Sequence, residues 1–205
     1  MALEIIPKPD SISWEEITDL LHQAFAEHSS RGLHYGACNQ SSEVTRQRAG
    51  SGICFVALLD GKLVGTGLVN IQQRYGKKIG YLSQLGVLPE VKGQGIGTKI
   101  RETVIDICRQ RSADAVYCNT SEKAGKVVRF YLEGRWQRIG LLSFENTNYY
   151  SIEFRYVVSG RKYTAVEAKV RFLLSYLFCK SLWREDGSLR PVGKLLKMFK
   201  GLCKR

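Results

Sequence analysis

Apolar and polar residues alternate along the chain in segments of strand-like and helix-like spacing. A first strand is predicted for ALEIIPK, and apolar positions then recur at helical intervals from Trp14 to Glu27. Ser13 occupies the position of a helix N-cap, and Glu16 stands three residues later, where it completes a capping box. The pattern therefore predicts one strand, followed by an amphipathic helix that begins after Ser13.

Strand-like spacing resumes after a polar loop, EHSSRGLHYGACNQSS, and a short helical stretch that begins at Glu43. Two strands are predicted in ICFVALLDGKLVGTGLVNIQQ, around the Asp60-Gly61 pair, which is typical of short hairpins. A third strand is predicted for KIGYLSQLGVL. An amphipathic helix is predicted from Ile96 to Arg111, because its apolar residues fall on one face and its charged residues on the other.

The remaining segments complete an α/β pattern. A strand AVYCN, a helix SEKAGKVVRFYLEG and two strands, WQRIGLLSF and YYSIEFRYVV, are predicted in that order. Strands and helices do not alternate regularly, which is typical of a mixed sheet rather than a doubly wound parallel sheet. The predicted fold class is therefore α/β, with a mixed sheet flanked by helices.

The residues after Gly160 form a basic and apolar C-terminal extension. Residues 164–183 are rich in Val, Leu, Phe and Tyr, and a second helical segment follows REDGSLRP. The apolar face predicted for that second segment consists of Val192, Leu195, Leu196, Phe199 and Leu202. From residue 161 onward the chain has twelve Lys or Arg against three acidic residues, within a net charge of +12 for the whole chain. A domain over residues 1–158 and a basic helical extension over residues 159–205 are therefore predicted.

Three accounts of the extension stay open. Its apolar face packs on the main domain or on the second subunit of a homodimer, with the lysines in solvent. Alternatively, it lies on an anionic membrane surface as a basic amphipathic helix, in peripheral contact with the membrane. Binding to nucleic acid is the third account, and it is disfavoured because the extension has no recognised motif and few interleaved aromatic residues. Packing is the preferred account.

Composition is that of an ordinary globular protein. Hydrophobic residues make up 44% of the chain, and no apolar run approaches the roughly 20 residues that a membrane-spanning helix needs. The start, MALEIIPKPD, lacks the pattern of a signal peptide. The six cysteines have no C-x-x-C spacing, which predicts reduced thiols and no metal site. A cytoplasmic protein is therefore expected, or one peripheral to the inner face of a membrane.

A glycine-rich stretch, PEVKGQGIGTKI, precedes the helix predicted from Ile96. Gly93, Gly95 and Gly97 lie between a strand and the start of this helix, where free N–H groups and the helix dipole favour an anion. Glycine lets a phosphate approach the backbone without meeting a Cβ atom. The order Gly97-Thr98-Lys99 does not fit the Walker A motif, and Thr98 stands where a dinucleotide-binding loop has its third glycine. A diphosphate site of another kind is therefore predicted.

The segment LGVLPEVKGQGIGTKI resembles the coenzyme A loop of the GCN5-related N-acetyltransferase (GNAT) family, [QR]-x-x-G-x-[GA] after a strand written L-x-V-x-P. Lys92 stands where the family usually has Arg or Gln. Further on, VVRFYLEGRWQRIG resembles the family pattern A-x-x-[LF]-Y-E-K-x-G-F, with Tyr131 at the tyrosine. Ala124 replaces a common asparagine, for which Asn119 is the expected substitute, and Arg135 replaces a glycine. The resemblance covers roughly residues 3–157.

This resemblance implies a sheet that splays between the fourth and fifth strands, with acetyl-CoA as co-substrate, no metal, and direct transfer of the acetyl group to an amine. It implies that Tyr131 is the general acid near the leaving thiolate; otherwise Tyr131 is a packed aromatic residue at a helix end. The positions that match cofactor contacts of the family, together with the expected substitute, are Leu85, Val87, Lys92, Gly93, Gln94, Gly95, Gly97, Thr98 and Asn119.

The general base is the least defined part of the predicted site. Many GNAT enzymes use a glutamate on the fourth strand, but YLSQLGV has none, and Gln84 in this segment cannot take up a proton, although it can hold a water molecule. The candidates on the acceptor side are His28, His34 and Glu43, and Glu145 follows a late strand. His34, between Leu33 and Tyr35, is the preferred candidate, since histidine titrates near neutral pH.

The acceptor is predicted to be a small molecule with a primary amine. The segment HSSRGLHYGACNQ is polar and aromatic but not acidic, which favours an amino sugar, a nucleotide-sugar amine or an amino acid over a polyamine or an aminoglycoside. Two alternatives stay open. One is a non-catalytic module that binds CoA, because the second family motif is altered. The other is a membrane-surface acyltransferase that acts on an envelope precursor.

Overall fold

The computed structural model describes residues 2–74, 76–159 and 164–194. Within these residues the element order is that of a mixed α/β fold, as predicted. The helices are α1 (Trp14–Ser30), α2 (Ser42–Ala49), α3 (Ile96–Gln110), α4 (Gly125–Glu133) and α5 (Ala165–Leu182). The strands are β1 (Leu3–Pro7), β2 (Ile53–Leu59), β3 (Lys62–Arg74), β4 (Lys77–Val87), β5 (Ala115–Ser121), β6 (Gln137–Leu142) and β7 (Ser151–Val157). Two short 3-10 helices cover Gly36–Cys38 and Pro89–Val91.

The described residues pack as two compact units. Unit 1 contains those of residues 1–118 and 156–161, and unit 2 contains those of residues 119–155 and 162–205. These units describe packing, so the predicted division into residues 1–158 and 159–205 stays a prediction. Between Pro191 and Lys194 the chain is helical, and the rest of the predicted second tail helix lies outside the described residues.

Unit 1 is built on strands in the order β1-β2-β3-β4-β5. The first four are antiparallel, and β5 runs parallel to β4. In the described residues, β4 pairs with β5 at three positions, the last of which joins Tyr81 to Tyr117, whereas β4 continues to Val87. The described pairing of the two strands therefore ends at Tyr81 although β4 continues, in agreement with the predicted splay of the sheet.

Helix α1 begins as the sequence predicts. The Ser13 hydroxyl accepts a hydrogen bond from Glu16 N at 3.1 Å, and the Glu16 carboxylate accepts one from Ser13 N at 2.7 Å. This reciprocal capping box satisfies two donors that the helix itself leaves unpaired. The helix then buries Ile17 and Leu21 against Val56 of β2. Its start is therefore fixed by local polar contacts and its position by apolar burial.

Close packing of helices on the sheet depends on glycine at two strand positions. A Cβ atom on Gly67 of β3 would lie 2.6 Å from Ile100 Cγ2 of α3. One on Gly86 of β4 would lie 3.1 Å from Ala24 Cβ of α1. These glycines let α3 and α1 approach the strands that lead to the glycine-rich loop, and the helices are held there by buried apolar contacts.

Unit 2 contains α4, the antiparallel pair β6 and β7, and α5. The Arg155 side chain is fully buried, and its Nη2 atom donates to Glu167 Oε2 at 2.6 Å and to Gln137 Oε1 at 2.9 Å. A buried guanidinium needs such partners because an unpaired charge is costly away from water. The Ser175 hydroxyl also bonds both the N–H and the carbonyl of Leu141. These contacts fix α5 against β6 and β7.

Several element boundaries differ from the sequence prediction. Helix α2 starts at Ser42 with Ser41 as its N-cap, and α4 starts at Gly125, four residues later than SEKAGKVVRFYLEG suggests. Among the residues described, the helices include none that is long and apolar enough to cross a bilayer. The five cysteines in this part of the chain are free thiols, and Cys203 lies outside it.

Candidate active site

The glycine-rich loop joins β4 to α3 in unit 1. Gly93 and Gly95 have φ angles of 85° and 80°, in the left-handed region that favours glycine, and Gly95 is the N-cap of α3. A Cβ atom at either position would have no heavy atom within 4 Å. The loop therefore exposes its backbone to open space on the side where these Cβ atoms would stand.

Backbone donors are concentrated in this loop. Among the described residues, the N–H groups from Gly93 to Thr98 have no hydrogen-bond acceptor, and the first loop-to-helix bond runs from Lys99 N to Gly95 O. Unpaired donors at a helix N-terminus, together with the partial positive charge of the helix dipole, attract an anion. This arrangement fits a diphosphate, and the contacts predicted for Gly93, Gln94, Gly95, Gly97 and Thr98 are compatible with it.

Lys92 connects the loop to α1. Its Nζ atom lies 3.6 Å from Glu27 Oε2 and donates to Ala24 O at 3.4 Å. The Glu27 carboxylate also pairs with Arg31 at 2.7 Å. The Lys92 side chain therefore lies at the rim of the loop, but its Nζ atom is already in contact with Glu27 and Ala24 in the last turns of α1. Its contact with a diphosphate stays a prediction.

Strand β4 contains a β-bulge next to the loop. Thr66 of β3 pairs with Gly86, but Leu68 pairs with Ser83, so two residues of β4 lie opposite one residue of β3. Gln84 is one of the two, with φ at 51°, and its Nε2 atom is buried without a hydrogen-bond partner among the described residues. The bulge lies in the part of β4 that has left β5. The backbone of Leu85 and Val87 is thus placed along an opened strand edge.

An aromatic cluster covers the end of α1. The ring centroid of His28 lies 4.9 Å from that of Tyr35 and 5.8 Å from that of Phe25. His28 Nδ1 is buried and has no hydrogen-bond partner among the described residues. Burial lowers the pKa of His28 below its ordinary value of 6.5; the Glu27 carboxylate opposes this, and the positive charges of Lys92 and Arg31 add to it. His28 is therefore a neutral imidazole at pH 7.

The other proposed bases lie in different surroundings. His34 is exposed on the loop after α1. Glu43 is an exposed residue of α2, where it accepts a hydrogen bond from Gln47. Glu145 is exposed in unit 2. The structure thus brings His28 into the half-buried aromatic cluster at the end of α1, and His34 and Glu43 are exposed. The predicted role of His34 stays a prediction.

Tyr131 lies on α4 in unit 2. It is 4% exposed, its ring stacks on Phe154 with centroids 5.2 Å apart, and Trp136 lies at the same distance in an edge contact. Asn119 is a half-buried residue of β5, and Ala124 is the N-cap of α4 without a side-chain bond. Tyr131 is therefore tightly packed, and its role as an acid stays a prediction, as does the contact predicted for Asn119.

Sequence reasoning missed the bulge at Gln84 and the shielded position of His28. For His28 a signal was present, since it continues the apolar face of α1 at helical spacing after Leu21 and Ala24. A histidine on that face is expected to be shielded from water. For metals, the part of the chain that the structure describes contains no group of three or more His, Cys, Asp or Glu arranged to hold an ion.

Comparison with known proteins agrees with this geometry. The family model described as "Acetyltransferase (GNAT) family" matches residues 14–134. The N-alpha-acetyltransferase 30 of Schizosaccharomyces pombe is 26% identical over 109 residues, which are 51% of this chain and 69% of that protein. An uncharacterized N-acetyltransferase of Archaeoglobus fulgidus is 33% identical over 81 residues, which are 37% of this chain and about half, 54%, of that relative.

The fold also matches solved structures. A GNAT family acetyltransferase from Elizabethkingia anophelis, solved with acetyl-CoA bound, superposes with a TM-score of 0.58 at 15% identity. The match covers 76% of this chain and 97% of that one. At this identity the likeness concerns the fold, and it extends over nearly the whole of that acetyltransferase.

Proposed function

This chain belongs to the GNAT acetyltransferase family, and from that premise we propose that it moves the acetyl group of acetyl-CoA directly to the primary amine of a small molecule. An amino sugar, a nucleotide-sugar amine and an amino acid are the acceptor classes that we expect. The observation that carries the proposal is the loop from Gly93 to Thr98. Its unpaired N–H groups, its two glycines with positive φ and the open space above them suit the diphosphate of coenzyme A.

In this reaction the amine nitrogen attacks the acetyl carbonyl carbon, a C–N bond forms, and the C–S bond breaks. The amine loses one proton and the leaving thiolate gains one. We assign the opened edge of β4, with the backbone of Leu85 and Val87, to positioning of the acetyl and pantetheine groups. We assign Tyr131 to donation of a proton to the thiolate.

The proton that the amine loses needs an acceptor. His28 suits this role because it is neutral at pH 7 and its Nδ1 atom has no partner in the described residues. His34 is the competing candidate, and it is exposed on the loop after α1. Strand β4 has no Asp or Glu that could serve instead. We therefore propose His28 as the base.

The charges near α1 favour an acceptor amine of low pKa. The Glu27 carboxylate is already paired with Lys92 and Arg31, so its negative charge is not available to bind a cationic acceptor. A polycation would be repelled by the two basic side chains. The α-amine of a peptide N-terminus, with a pKa of about 8, is partly neutral at pH 7, whereas a lysine amine with a pKa of about 10.4 is not. This reasoning supports acceptors with a single amine of low pKa over polyamines.

A second candidate acceptor is the N-terminal α-amine of a protein. The observation that favours it is the similarity to the N-alpha-acetyltransferase of Schizosaccharomyces pombe, over about half of this chain. A peptide N-terminus is an amine of this low pKa. Both candidates present a primary amine as the reacting group, and they differ in what surrounds it.

The test is release of free CoA thiol from acetyl-CoA with a panel of acceptors. The panel pairs each amino acid with its Nα-blocked form, each amino sugar with its N-acetyl form, and short peptides with Nα-blocked peptides; spermidine is included. We expect release with the small free amines, none with the blocked forms and little with spermidine. Release with peptides alone would establish the second candidate. Acetyl-CoA binding without release from any acceptor would favour a non-catalytic CoA-binding module.

A further inference from the structure

Helix α5 presents a continuous apolar face to solvent, which we call the outer face of α5. Its six residues recur at intervals of one to four along the helix and are between 52% and 70% exposed. They are Val166, Val170, Leu173, Leu174, Leu177 and Phe178. A face of this size is uncommon on a monomeric protein and is typical of a docking surface.

The opposite face of α5 is occupied. Ala168 and Cys179 are buried, and the Ser175 hydroxyl is bonded to the backbone of Leu141 on β6. The start of the helix is held by the pair between Glu167 and buried Arg155. One side of α5 is therefore fixed within unit 2. Because these contacts set the orientation of the helix, the opposite side, the outer face, is left exposed to solvent.

Basic side chains flank the outer face. Lys169 and Arg171 project on either side of it by helical spacing, and neither has an ion-pair partner among the described residues. The one acidic residue of α5, Glu167, is already engaged with Arg155. An apolar surface with a positive border is thus presented to solvent.

An apolar groove adjoins this surface within unit 2. It has a volume of about 290 Å³, and its lining includes Leu141, Leu142, Phe178, Leu182 and Trp183. Phe178 belongs both to the groove and to the outer face, so the two are continuous. Trp183 is 39% exposed at the end of the helix, and tryptophan at such a position is typical of proteins that contact the interface of a membrane.

We propose that the outer face of α5 docks on the surface of an anionic phospholipid bilayer. In this arrangement the six apolar side chains enter the boundary between headgroups and acyl chains, and Lys169 and Arg171 lie at the level of the phosphates. The groove next to Phe178 offers room for part of an acyl chain. The docking surface is independent of the acceptor on which the transferase acts.

Charge distinguishes this partner from a second copy of the chain. Two outer faces packed on each other would bring the Lys169 and Arg171 borders of both copies together, with no free carboxylate on α5 to compensate them. An anionic bilayer supplies the missing negative charge. The sequence beyond residue 194 adds four basic residues, Lys197, Lys200, Lys204 and Arg205, to the same end of the chain.

Co-sedimentation of the full chain with vesicles tests the proposal. One set of vesicles is phosphatidylcholine alone, and the other contains phosphatidylglycerol as well. We expect the protein to pellet with the anionic vesicles at least about fivefold more than with the neutral ones, and to be released by high salt. The double variant Leu173→Gln with Leu177→Gln should lose about tenfold or more of this binding.

The matched control is Leu132→Gln, because Leu132 is an exposed leucine of unit 2 on α4, outside the outer face. This variant should pellet as the unchanged protein does. Circular dichroism and acetyl-CoA binding should be the same in the variants as in the unchanged protein. These two controls exclude misfolding as the cause of a loss of vesicle binding. Equal recovery of unchanged protein and double variant in the pellet would overturn the proposal. So would a dimer in light scattering that the double variant converts to a monomer.

Discussion

Lys92 Nζ lies 3.6 Å from Glu27 Oε2, so the rim of the glycine-rich loop is joined to the helix that carries His28. Both side chains are about 40% exposed, at 41% and 37%, and such a pair contributes less than about 1 kcal/mol to stability. Its larger consequence is electrostatic. The Glu27 carboxylate raises the pKa of His28, and Lys92 lowers it, so the pair sets the pH range in which the neutral imidazole is available.

The first prediction concerns pH. Because burial holds the pKa of His28 below 6.5, activity that depends on neutral His28 should fall as the pH drops through that lowered pKa. Glu27→Gln removes a charge that raises the pKa and should move the acid limb of kcat/KM to lower pH. Lys92→Met removes a charge that lowers it and should move the limb to higher pH. Shifts in the same direction for both variants would contradict the assignment.

The same pKa has a consequence for stability. In the unfolded chain His28 regains its ordinary pKa of 6.5, so between that value and the lower folded pKa the unfolded state binds more protons. Stability contributed by neutral His28 is therefore present above about pH 6.5 and is lost as the pH falls. Urea unfolding at about pH 7.5 and about pH 5.5 measures this, and the loss should be smaller in His28→Gln.

A second prediction separates His28 from His34. His28→Gln should lower kcat by about 100-fold at neutral pH, since a general base contributes on that order, and leave acetyl-CoA affinity unchanged. His34→Gln, at an exposed position, is the matched control and should change kcat by less than about threefold. Steady-state thiol release with a saturating acceptor provides both values. The reverse order of effects would return the role to His34.

The third prediction tests the glycine-rich loop. Gly95→Ala introduces a Cβ atom where no heavy atom lies within 4 Å, so the cost to stability comes from the positive φ alone, about 1–2 kcal/mol. The new methyl group should also obstruct a diphosphate and weaken acetyl-CoA binding about tenfold or more. Gly61→Ala is the control, because Gly61 has φ of 77° and equally open surroundings in the hairpin between β2 and β3. Calorimetry should find weaker binding in Gly95→Ala only.

The fourth prediction concerns Tyr131. Tyr131→Phe keeps the ring that packs between Phe154 and Trp136 and removes the hydroxyl. If the hydroxyl protonates the leaving thiolate, kcat should fall by about 100-fold while acetyl-CoA affinity and thermal stability stay close to those of the unchanged protein. An unchanged kcat would reduce Tyr131 to a packed aromatic residue of unit 2.

The fifth prediction concerns the bulge in β4. Gln84 holds φ at 51° and buries an amide nitrogen without a partner in the described residues, and both features are unfavourable for glutamine. Gln84→Gly should therefore raise the free energy of unfolding, by about 1 kcal/mol, and lower kcat because the amide is lost from the site. Urea unfolding and thiol release measure the two effects. A destabilised and fully active variant would show that the bulge serves packing alone.

Local chemistry made part of this site predictable. The capping box at Ser13 and the glycine-rich loop from Gly93 to Gly97 depend on residues close together in sequence, and both lie where the pattern indicated. The bulge at Gln84 depends on the register between β3 and β4, which no local pattern specifies. The partial burial of His28 depends on Tyr35, which the loop after α1 folds back onto the helix.

The extension illustrates the same distinction. Its apolar character is evident from composition, but the residues that remain exposed depend on which face of α5 meets β6. The contacts of Ser175 with Leu141 decide that, together with the pair between Glu167 and Arg155. Since α5 is apolar on nearly all sides, helical spacing alone did not identify its outer face.

Calorimetric titration with acetyl-CoA, followed by thiol release from the same sample after a free amino acid or amino sugar is added, tests the central claim most directly. We predict saturable binding of one acetyl-CoA per chain, and release of CoA thiol only when an unblocked amine is present. Absence of binding by the unchanged protein would contradict the assignment of residues 93–98 to the diphosphate, and with it the proposed transfer reaction.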